Sequence, residues 1–319
     1  MDYHRGGPPH GHRLLPLRGP PGAGEDRGGV VPGGVAGPGG GAPRPARQGR
    51  VRPLGGELIA LVRGAGDVAT AVALRLLAEG FSVVCTELPR PTCLRRAVAF
   101  AEAVYEGEWE VEGVTGRLAH SPPVARELLS RDVLPILAPE GEALALLQPG
   151  LLVDARMAKR NLGTRRGEAP LVIGLGPGFT AGVDCHAAVE TLNGPDLGRV
   201  YLRGSPLPPT HEPCRIGGLS SGRVVRAPWA GVFLGFVRIG EQVEEGDLLA
   251  TVAGEPLFSS CSGVVRGILR SGVEVRPGLK AVEIDPRGNS EIPFRVAERA
   301  WRIAGGVVSA LELLAEKEL

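Results

Sequence analysis

The stretch ELIALVRGAGDVATAVALRLLAEGFSVVCTE, residues 57–87, decides the fold class. It starts with an apolar run that ends at Gly64, continues with a helical pattern, and closes with the second apolar run FSVVCTE. A strand, a glycine turn, a helix and a second strand form a right-handed βαβ unit. We expect Asp67 to cap the helix and Gly80 to end it. The stretch therefore predicts an α/β chain with a Rossmann-like parallel sheet.

The glycine turn has the spacing of a nucleotide-binding fingerprint. Gly64, Gly66 and Ala69 stand at the three small-residue positions of GxGxxG/A, where the backbone approaches a phosphate at a helix N-terminus. Glu87 follows Gly66 by 21 residues, where an acid can accept a hydrogen bond from a ribose 2′-OH. Asp67 is unusual because it places a carboxylate beside the anion pocket. The sequence predicts a nucleotide-type site, with an empty inherited scaffold as the alternative.

Two later loops carry polar groups after predicted strands. They are DARMAKRN, residues 154–161, and GLGPGFTAGVDCH, residues 174–186. Ligand groups collect at the carboxyl ends of parallel strands, although either loop can also be purely structural. Cys185 is expected to be a buried, inert thiol on the opposite face from His186. The candidate cofactor-binding residues of these loops are Asp154, Arg156, Lys159, Gly176, Gly178 and Thr180.

The C-terminal half contains a repeat. Residues 227–252 and 259–284 match at a spacing of 32 residues, and two β half-units of this kind can close on a shared core. The pattern predicts a small all-β barrel-sandwich hybrid, similar to biotinyl and lipoyl carrier domains. The hairpin tip between the half-units, residues 253–260, has no lysine, so we expect neither biotin nor lipoate.

The predicted domain organisation has five parts. They are a disordered extension at 1–56, a Rossmann-like domain at 57–204, a linker at 205–219, the barrel-sandwich domain at 220–290, and a C-terminal helix at 291–319 interrupted at Gly305–Gly306. The extension is predicted because it holds 17 Gly and 10 Pro, with 8 Arg against 3 acidic residues, and cannot bury a core.

Composition argues against several classes of protein. The formal net charge is only +1 and residues 57–319 show no basic stripe, so nucleic acid is not the expected partner. The sequence has no run of about 18 apolar residues, so it predicts no membrane span. The five cysteines form no CxxC pair, which indicates neither a zinc site nor disulfides and favours a cytoplasmic protein. The sequence predicts no particular oligomeric state.

Four segments match the pattern of a known family. They are RGAGDVATAVALRL, TELPRPTCLRRAVAFAEAVYEGEWEVEGVTGRLA, VDARMAKRN and GLGPGFTAGVDCHAAVET. Together they resemble the selenium-dependent molybdenum hydroxylase system proteins of the YqeB type, which are distantly similar to XdhC maturation factors. The resemblance spans residues 57–290. It implies an accessory role in preparing the molybdenum cofactor, with a molybdenum hydroxylase subunit as partner.

Three functions remain open at this point. The preferred one is a maturation factor that binds an anionic cofactor, of molybdopterin or nucleotide type, across the glycine-rich loops. The βαβ unit alone also suits an NAD(P)-dependent oxidoreductase, but no proton-transfer constellation is evident. The third is a scaffold with an empty Rossmann site. Whether the chain catalyses a reaction stays open.

Overall fold

The computed structural model describes residues 58–210, 213 and 215–318. The described fold belongs to the compact unit Arg47–Leu319. The predicted extension at 1–56 lies outside the described residues. In the part of the chain that is described, no helix has both the length and the apolar character needed to cross a bilayer.

The first part of the chain alternates strands and helices. Its strands are β1 (Ile59–Arg63), β2 (Ser82–Thr86), β3 (Glu108–Val111), β4 (Val114–Ala119), β5 (Leu134–Leu137), β6 (Leu151–Asp154), β7 (Leu171–Leu175), β8 (Ala187–Val189) and β9 (Val200–Tyr201). Its helices are α1 (Asp67–Ala78), α2 (Ala103–Glu106), α3 (Pro122–Leu129) and α4 (Ala143–Leu147).

These strands form one nine-stranded sheet in the order β3-β4-β5-β2-β1-β6-β7-β8-β9. All neighbours from β4 to β8 are parallel, and only the two edge pairs are antiparallel. β1 lies at the centre, and its five residues are all buried, as expected of a strand covered on both faces. The strand order reverses between β1 and β6, and such a reversal opens a crevice at the carboxyl ends of the strands.

Helix α1 differs in detail from its prediction. Gly66, not Asp67, is the N-cap residue, and no side chain caps the helix. Asp67 is the first helical residue, and its carboxylate lies 3.5 Å from Arg95 Nη1. The capping prediction was therefore wrong, because the extended backbone required at an N-cap falls one residue earlier. Gly80 follows the helix end with φ +92°, as a chain-reversing glycine should.

The second part of the chain is antiparallel. Its strands are β10 (Val224–Arg226), β11 (Gly231–Gly235), β12 (Gln242–Val243), β13 (Leu248–Val252), β14 (Glu255–Phe258), β15 (Gly263–Ile268), β16 (Glu274–Val275) and β17 (Lys280–Asp285). They form two four-stranded sheets, β10-β17-β15-β12 and β14-β13-β11-β16. We call this part the antiparallel module. A mixed α/β fold with a parallel-rich sheet and separate antiparallel sheets is confirmed.

The 32-residue spacing recurs in the strands of this module. β11, β12 and β13 correspond to β15, β16 and β17, and each half-unit lends its two-residue strand to the other: β12 pairs with β15, and β16 with β11. Gly231 and Gly263 stand at equivalent positions with φ +154° and +155°. At Gly263 a Cβ would collide with the carbonyl oxygen of Asp285, so the close crossing of the two half-units requires glycine there.

The last helix, α5 (Glu298–Glu318), returns to the parallel sheet. Its residues Ala300, Ile303, Ala304 and Val307 are buried in the same apolar cluster as the inner face of α1. The predicted interruption at Gly305–Gly306 is wrong, since the helix runs through both glycines. Tertiary packing outweighs the poor helix propensity of this pair.

The two adjacent glycines predict opposite mutational effects. A Cβ at Gly306 would collide with the carbonyl oxygen of Gly198 and lie 2.6 Å from Val189 Cγ1, whereas a Cβ at Gly305 would meet nothing within 4 Å. We expect Gly306→Ala to lower the free energy of unfolding by about 1–3 kcal/mol through overpacking. Gly305→Ala should raise it by about 0.5–1 kcal/mol through helix propensity. Urea unfolding of both variants is the measurement, and equal effects would contradict this packing of α5.

Candidate anion-binding cleft

A cleft of about 2080 Å³ lies between the carboxyl edge of the parallel sheet and the antiparallel module. The glycine turn before α1 and the loop after β2 form one wall, and β15, β17 and the segment before α5 contribute to the others. Of the sequence-predicted site residues, those that line the cleft are Gly64, Gly66, Asp67, Glu87, Arg156 and Lys159. Those that do not are Asp154, Gly176, Gly178 and Thr180.

The lining of the cleft is strongly basic. Twelve Arg and Lys residues line it, against the five acidic residues Asp67, Glu87, Glu140, Glu283 and Glu298. The basic residues are Arg95, Arg156, Lys159, Arg215, Arg223, Arg226, Arg266, Arg276, Lys280, Arg287, Arg295 and Arg299. Because they are scattered between positions 95 and 299, the sequence shows no basic stripe, and sequence analysis named only Arg156 and Lys159 among them. A concave surface with an excess of positive charge concentrates counter-ions, here anions.

The first glycine turn has the conformation that the fingerprint requires. Gly64 has φ +100°, and a Cβ there would lie 3.2 Å from the carbonyl oxygen of Ala155, so the turn at the end of β1 lies tightly against the turn at the end of β6. Gly66 has ordinary extended backbone and an open side towards the cleft, where a Cβ would lie 3.9 Å from Cys93 Sγ. A ligand can therefore approach the start of α1 closely at Gly66.

Glu87 folds back onto this turn. Its Oε1 accepts a hydrogen bond from Ala65 N at 3.3 Å, and its Oε2 accepts one from Leu88 N at 2.6 Å. Burial raises the pKa of Glu87, although the two backbone donors act in the opposite direction. The Glu87 carboxylate therefore accepts from the backbone amide of Ala65, which in the nucleotide-binding fingerprint could donate to a phosphate. The turn is thus less suited to binding a dinucleotide pyrophosphate than its glycines alone predict.

A buried guanidinium that the sequence did not single out organises the strand ends beside the turn. Arg63 closes β1 and is 6% exposed. Its donors reach Glu140 at 2.8 and 2.9 Å, Glu168 at 2.8 Å and Thr164 Oγ1 at 2.6 Å. Burial alone lowers the pKa of Arg63, but the two carboxylates more than compensate and raise it. Arg63 therefore stays charged and ties the loops after β5 and β6 to the centre of the sheet.

Asp154 belongs to the same network. Its Oδ2 accepts from Thr164 Oγ1 at 2.7 Å and from Arg156 Nη2 at 2.5 Å, and the residue is 3% exposed. A carboxylate that is satisfied and buried in this way holds its loop in place and presents Arg156 to the cleft. Lys159 follows with φ +65° and lines the cleft.

The second glycine-rich loop serves packing. A Cβ at Gly176 would collide with Thr191 Oγ1, and one at Gly178 would lie 2.5 Å from Asn161 N. Thr180 N donates to Asp184 Oδ2 at 2.9 Å, and the Thr180 hydroxyl lies 2.9 Å from Ser205 Oγ. The space beside these glycines is filled by the protein's own groups.

Cys185 is buried, and burial raises the pKa of its thiol to about 12. His186 Nδ1 accepts from Val172 N at 3.0 Å. The prediction of an inert, buried Cys185 agrees with this environment. Among the residues described, no group of three or more His, Cys, Asp or Glu is arranged to hold a metal ion.

The chain is 45% identical over 263 residues to a curated relative from Escherichia coli (strain K12) described as uncharacterized protein YqeB. The match covers 82% of this chain and 48% of the relative, so the chain spans about half the length of the curated relative it matches. The predicted likeness to YqeB is confirmed over most of the chain. No family model matches the chain.

Similarity to solved structures is slight. A succinylglutamate desuccinylase from Silicibacter sp. TM1040 has a TM-score of 0.23 and 14% identity, covering 72% of this chain and 85% of that one. The ectoine utilization protein EutE (DoeB) from Ruegeria pomeroyi has a TM-score of 0.22 and 13% identity, with the same coverage of 72% and 85%. At scores this low, neither likeness bears on fold or function.

The environment of Glu87 predicts a pH dependence. Because its folded-state pKa lies above the ordinary 4.5, its contribution to stability is full below about pH 4.5 and is lost as pH rises through the folded-state value. Glu87→Gln removes this loss. The free energy of unfolding of the variant, relative to that of wild type, should therefore increase as pH rises. Urea unfolding at several pH values from about 4 to 8 tests this. Glu110→Gln, on an exposed position of β3, is the control, and a parallel pH profile for Glu87→Gln would refute the prediction.

Proposed function

Starting from the homology with YqeB over most of the chain, we propose that this protein is an accessory factor that binds a small anionic cofactor in the cleft. We further propose that it serves the maturation of a selenium-dependent molybdenum hydroxylase, as the family resemblance implies. The observation that supports binding best is the excess of guanidinium groups lining the cleft. Two of these groups, on Arg95 and Arg223, are buried, and buried charges of one sign are costly unless a counter-ion neutralises them.

The lining suits a ligand with both a flat apolar part and a charged part. Three exposed leucines, Leu88, Leu162 and Leu207, line the same cleft as the arginines. Ligand sites combine apolar surface with a few polar groups that fix orientation. A molybdopterin-type cofactor and a nucleotide both have this character. The Rossmann-like glycine turn at Gly66 would admit the ligand close to the backbone.

The thiols that the structure describes favour binding over sulfur or selenium transfer. The described cysteines are Cys85, Cys93, Cys185 and Cys261, and burial raises the pKa of each thiol. Cys93 lines the cleft, where the charges of Asp67 and Glu87 raise its pKa further. A nucleophilic or selenium-carrying cysteine needs a lowered pKa. We therefore propose that the chain holds and protects a cofactor.

An NAD(P)-dependent oxidoreductase is the second candidate. The reversal of strand order beside a glycine fingerprint favours it. Against it, the Glu87 carboxylate that would accept from a ribose bonds instead to the turn amide of Ala65. The third candidate, a scaffold without a small ligand, does not account for the basic cleft.

Analysis of the purified protein separates these candidates. Extracts should contain a pterin or nucleotide, detected by fluorescence and mass spectrometry, and metal analysis should report any molybdenum or selenium. Consumption of reduced nicotinamide would support the oxidoreductase instead. A protein that retains neither class of ligand but captures a hydroxylase subunit would support the scaffold.

A substitution at Gly66 tests the position of the ligand. Gly66→Asp places a second carboxylate beside Asp67, and we expect at least about a tenfold loss of affinity, equivalent to about 1.4 kcal/mol. The fold should survive because Gly66 has ordinary extended backbone and Asp is a favourable N-cap residue. Gly66→Ala is the matched control, since a Cβ there meets only Cys93 Sγ at 3.9 Å. Equal retention by Gly66→Asp and wild type, both with native thermal unfolding, would remove the ligand from this turn.

A further inference from the structure

Arg95 is held at the junction of the parallel sheet and the antiparallel module. The residues on both sides of it bond to one residue of β15: Leu94 O accepts from Ile268 N at 2.9 Å, and Arg96 Nε donates to Ile268 O at 2.8 Å. The Arg95 side chain is 5% exposed and lines the cleft. Its backbone is thus fixed, and its guanidinium is withdrawn from bulk solvent.

The donors of this guanidinium are only partly satisfied. Nη2 donates to the carbonyl oxygen of Arg295 at 2.9 Å. Nη1 lies 3.5 Å from Asp67 Oδ2, and neither Nη1 nor Nε has a hydrogen-bond partner among the described residues. A buried N–H group without an acceptor costs as much as a lost hydrogen bond or more. Such a group in a cleft indicates a missing acceptor.

Arg266 repeats this situation on the antiparallel module. It lies on β15, its Nη1 bonds to Glu283 Oε1 at 3.0 Å, and its buried Nε has no partner among the described residues. Arg223 Nη1 reaches the same Glu283 oxygen at 2.7 Å. One carboxylate therefore serves two guanidinium groups, and these charges keep the pKa of Glu283 below its ordinary value although burial opposes this.

Positive charge exceeds negative charge in this cluster. The guanidinium groups of Arg95, Arg223 and Arg266 form ion pairs with the carboxylates of Asp67 and Glu283, and Asp285, which pairs with Arg287, also attracts Arg266. Burial, together with the like charge of Arg266, lowers the pKa of Arg95, and both residues line the cleft. An anion between them would relieve the repulsion and accept from the free N–H groups.

We propose that Arg95 and Arg266 form a binding site for a phosphate group. A tetrahedral dianion presents several acceptor oxygens at once, and guanidinium forks match that geometry. A carboxylate also matches a guanidinium fork, but a phosphate dianion brings more acceptor oxygens and a second negative charge, which suits a cluster with an excess of positive charge. The inference rests on the proposed function in one respect: the phosphate is taken to be that of the cofactor. It then places the charged end of the ligand at Arg95, beside the first residue of α1.

Calorimetric titration of the full chain with inorganic phosphate at low ionic strength tests the site. Wild type should bind phosphate saturably, and Arg95→Gln and Arg266→Gln should each weaken binding at least about tenfold. Arg131→Gln is the control and should bind as wild type does, because it alters an exposed ion pair with Glu127 and Arg131 does not line the cleft. Unchanged affinity in a folded Arg95→Gln protein would overturn the proposal.

A second variant keeps the test decisive if Arg95→Gln fails to fold. Asp67→Asn removes the carboxylate nearest Arg95 Nη1, so phosphate should bind several-fold more tightly. Weaker or equal binding by a folded Asp67→Asn protein would overturn the site. AMP and adenosine serve as further probes: AMP binding tighter than phosphate, with no adenosine binding, assigns the phosphate to an organic cofactor. Equal affinity for AMP and phosphate assigns the site to the phosphate group alone.

The same titrations separate this inference from the proposed function. If phosphate binds through Arg95 while the purified protein retains no pterin or nucleotide, the site stands and the proposed function fails. If a cofactor is retained equally by wild type and Arg95→Gln, the proposed function stands and the site is overturned.

Discussion

The geometry of the cleft depends on the joint between the loop after β2 and strand β15. Two hydrogen bonds to Ile268 pin the loop, and Gly267 brings the strand so close that a Cβ there would lie 2.8 Å from the carbonyl oxygen of Leu94. Arg270 adds an ion pair with the buried Glu102 at 2.7 Å. Because a backbone hydrogen bond, a side-chain hydrogen bond and an ion pair together make the joint, the two walls of the cleft are held at one separation, and the arginines of both walls line one volume.

The electrostatics of the cleft suggest selectivity rather than general attraction for anions. Asp67 and Glu87 place carboxylates near the N-terminus of α1. A helix N-terminus after a glycine turn would otherwise favour any phosphate. The opposing guanidinium groups lie on the antiparallel module and on the loop that joins it. Under the proposed function, an anion in the cleft would contact the guanidinium groups and stay clear of these carboxylates.

Local features of this fold could be predicted from the sequence, and long-range ones could not. The βαβ unit and the repeat depend on periodicity and on glycines such as Gly64, Gly231 and Gly263, whose backbone angles only glycine adopts easily. The Arg63 network joins groups 77 and 105 residues apart in the chain, and no spacing rule indicates such partners. Gly176 carries the same sequence signal as Gly64, yet the side chain of Thr191 fills the space beside it. A glycine-rich motif thus predicts a bend, but not whether the bend stays open.

The return of α5 to the parallel sheet has a consequence for biosynthesis. The helix covers the apolar face of α1, although more than two hundred residues separate the two in the chain. A growing polypeptide leaves the ribosome from its N-terminus, at about 5–20 residues per second. The apolar surface of α1 therefore stays uncovered by α5 until the whole antiparallel module has been synthesised. A chaperone that shields apolar helices during translation would protect this protein at its most vulnerable stage.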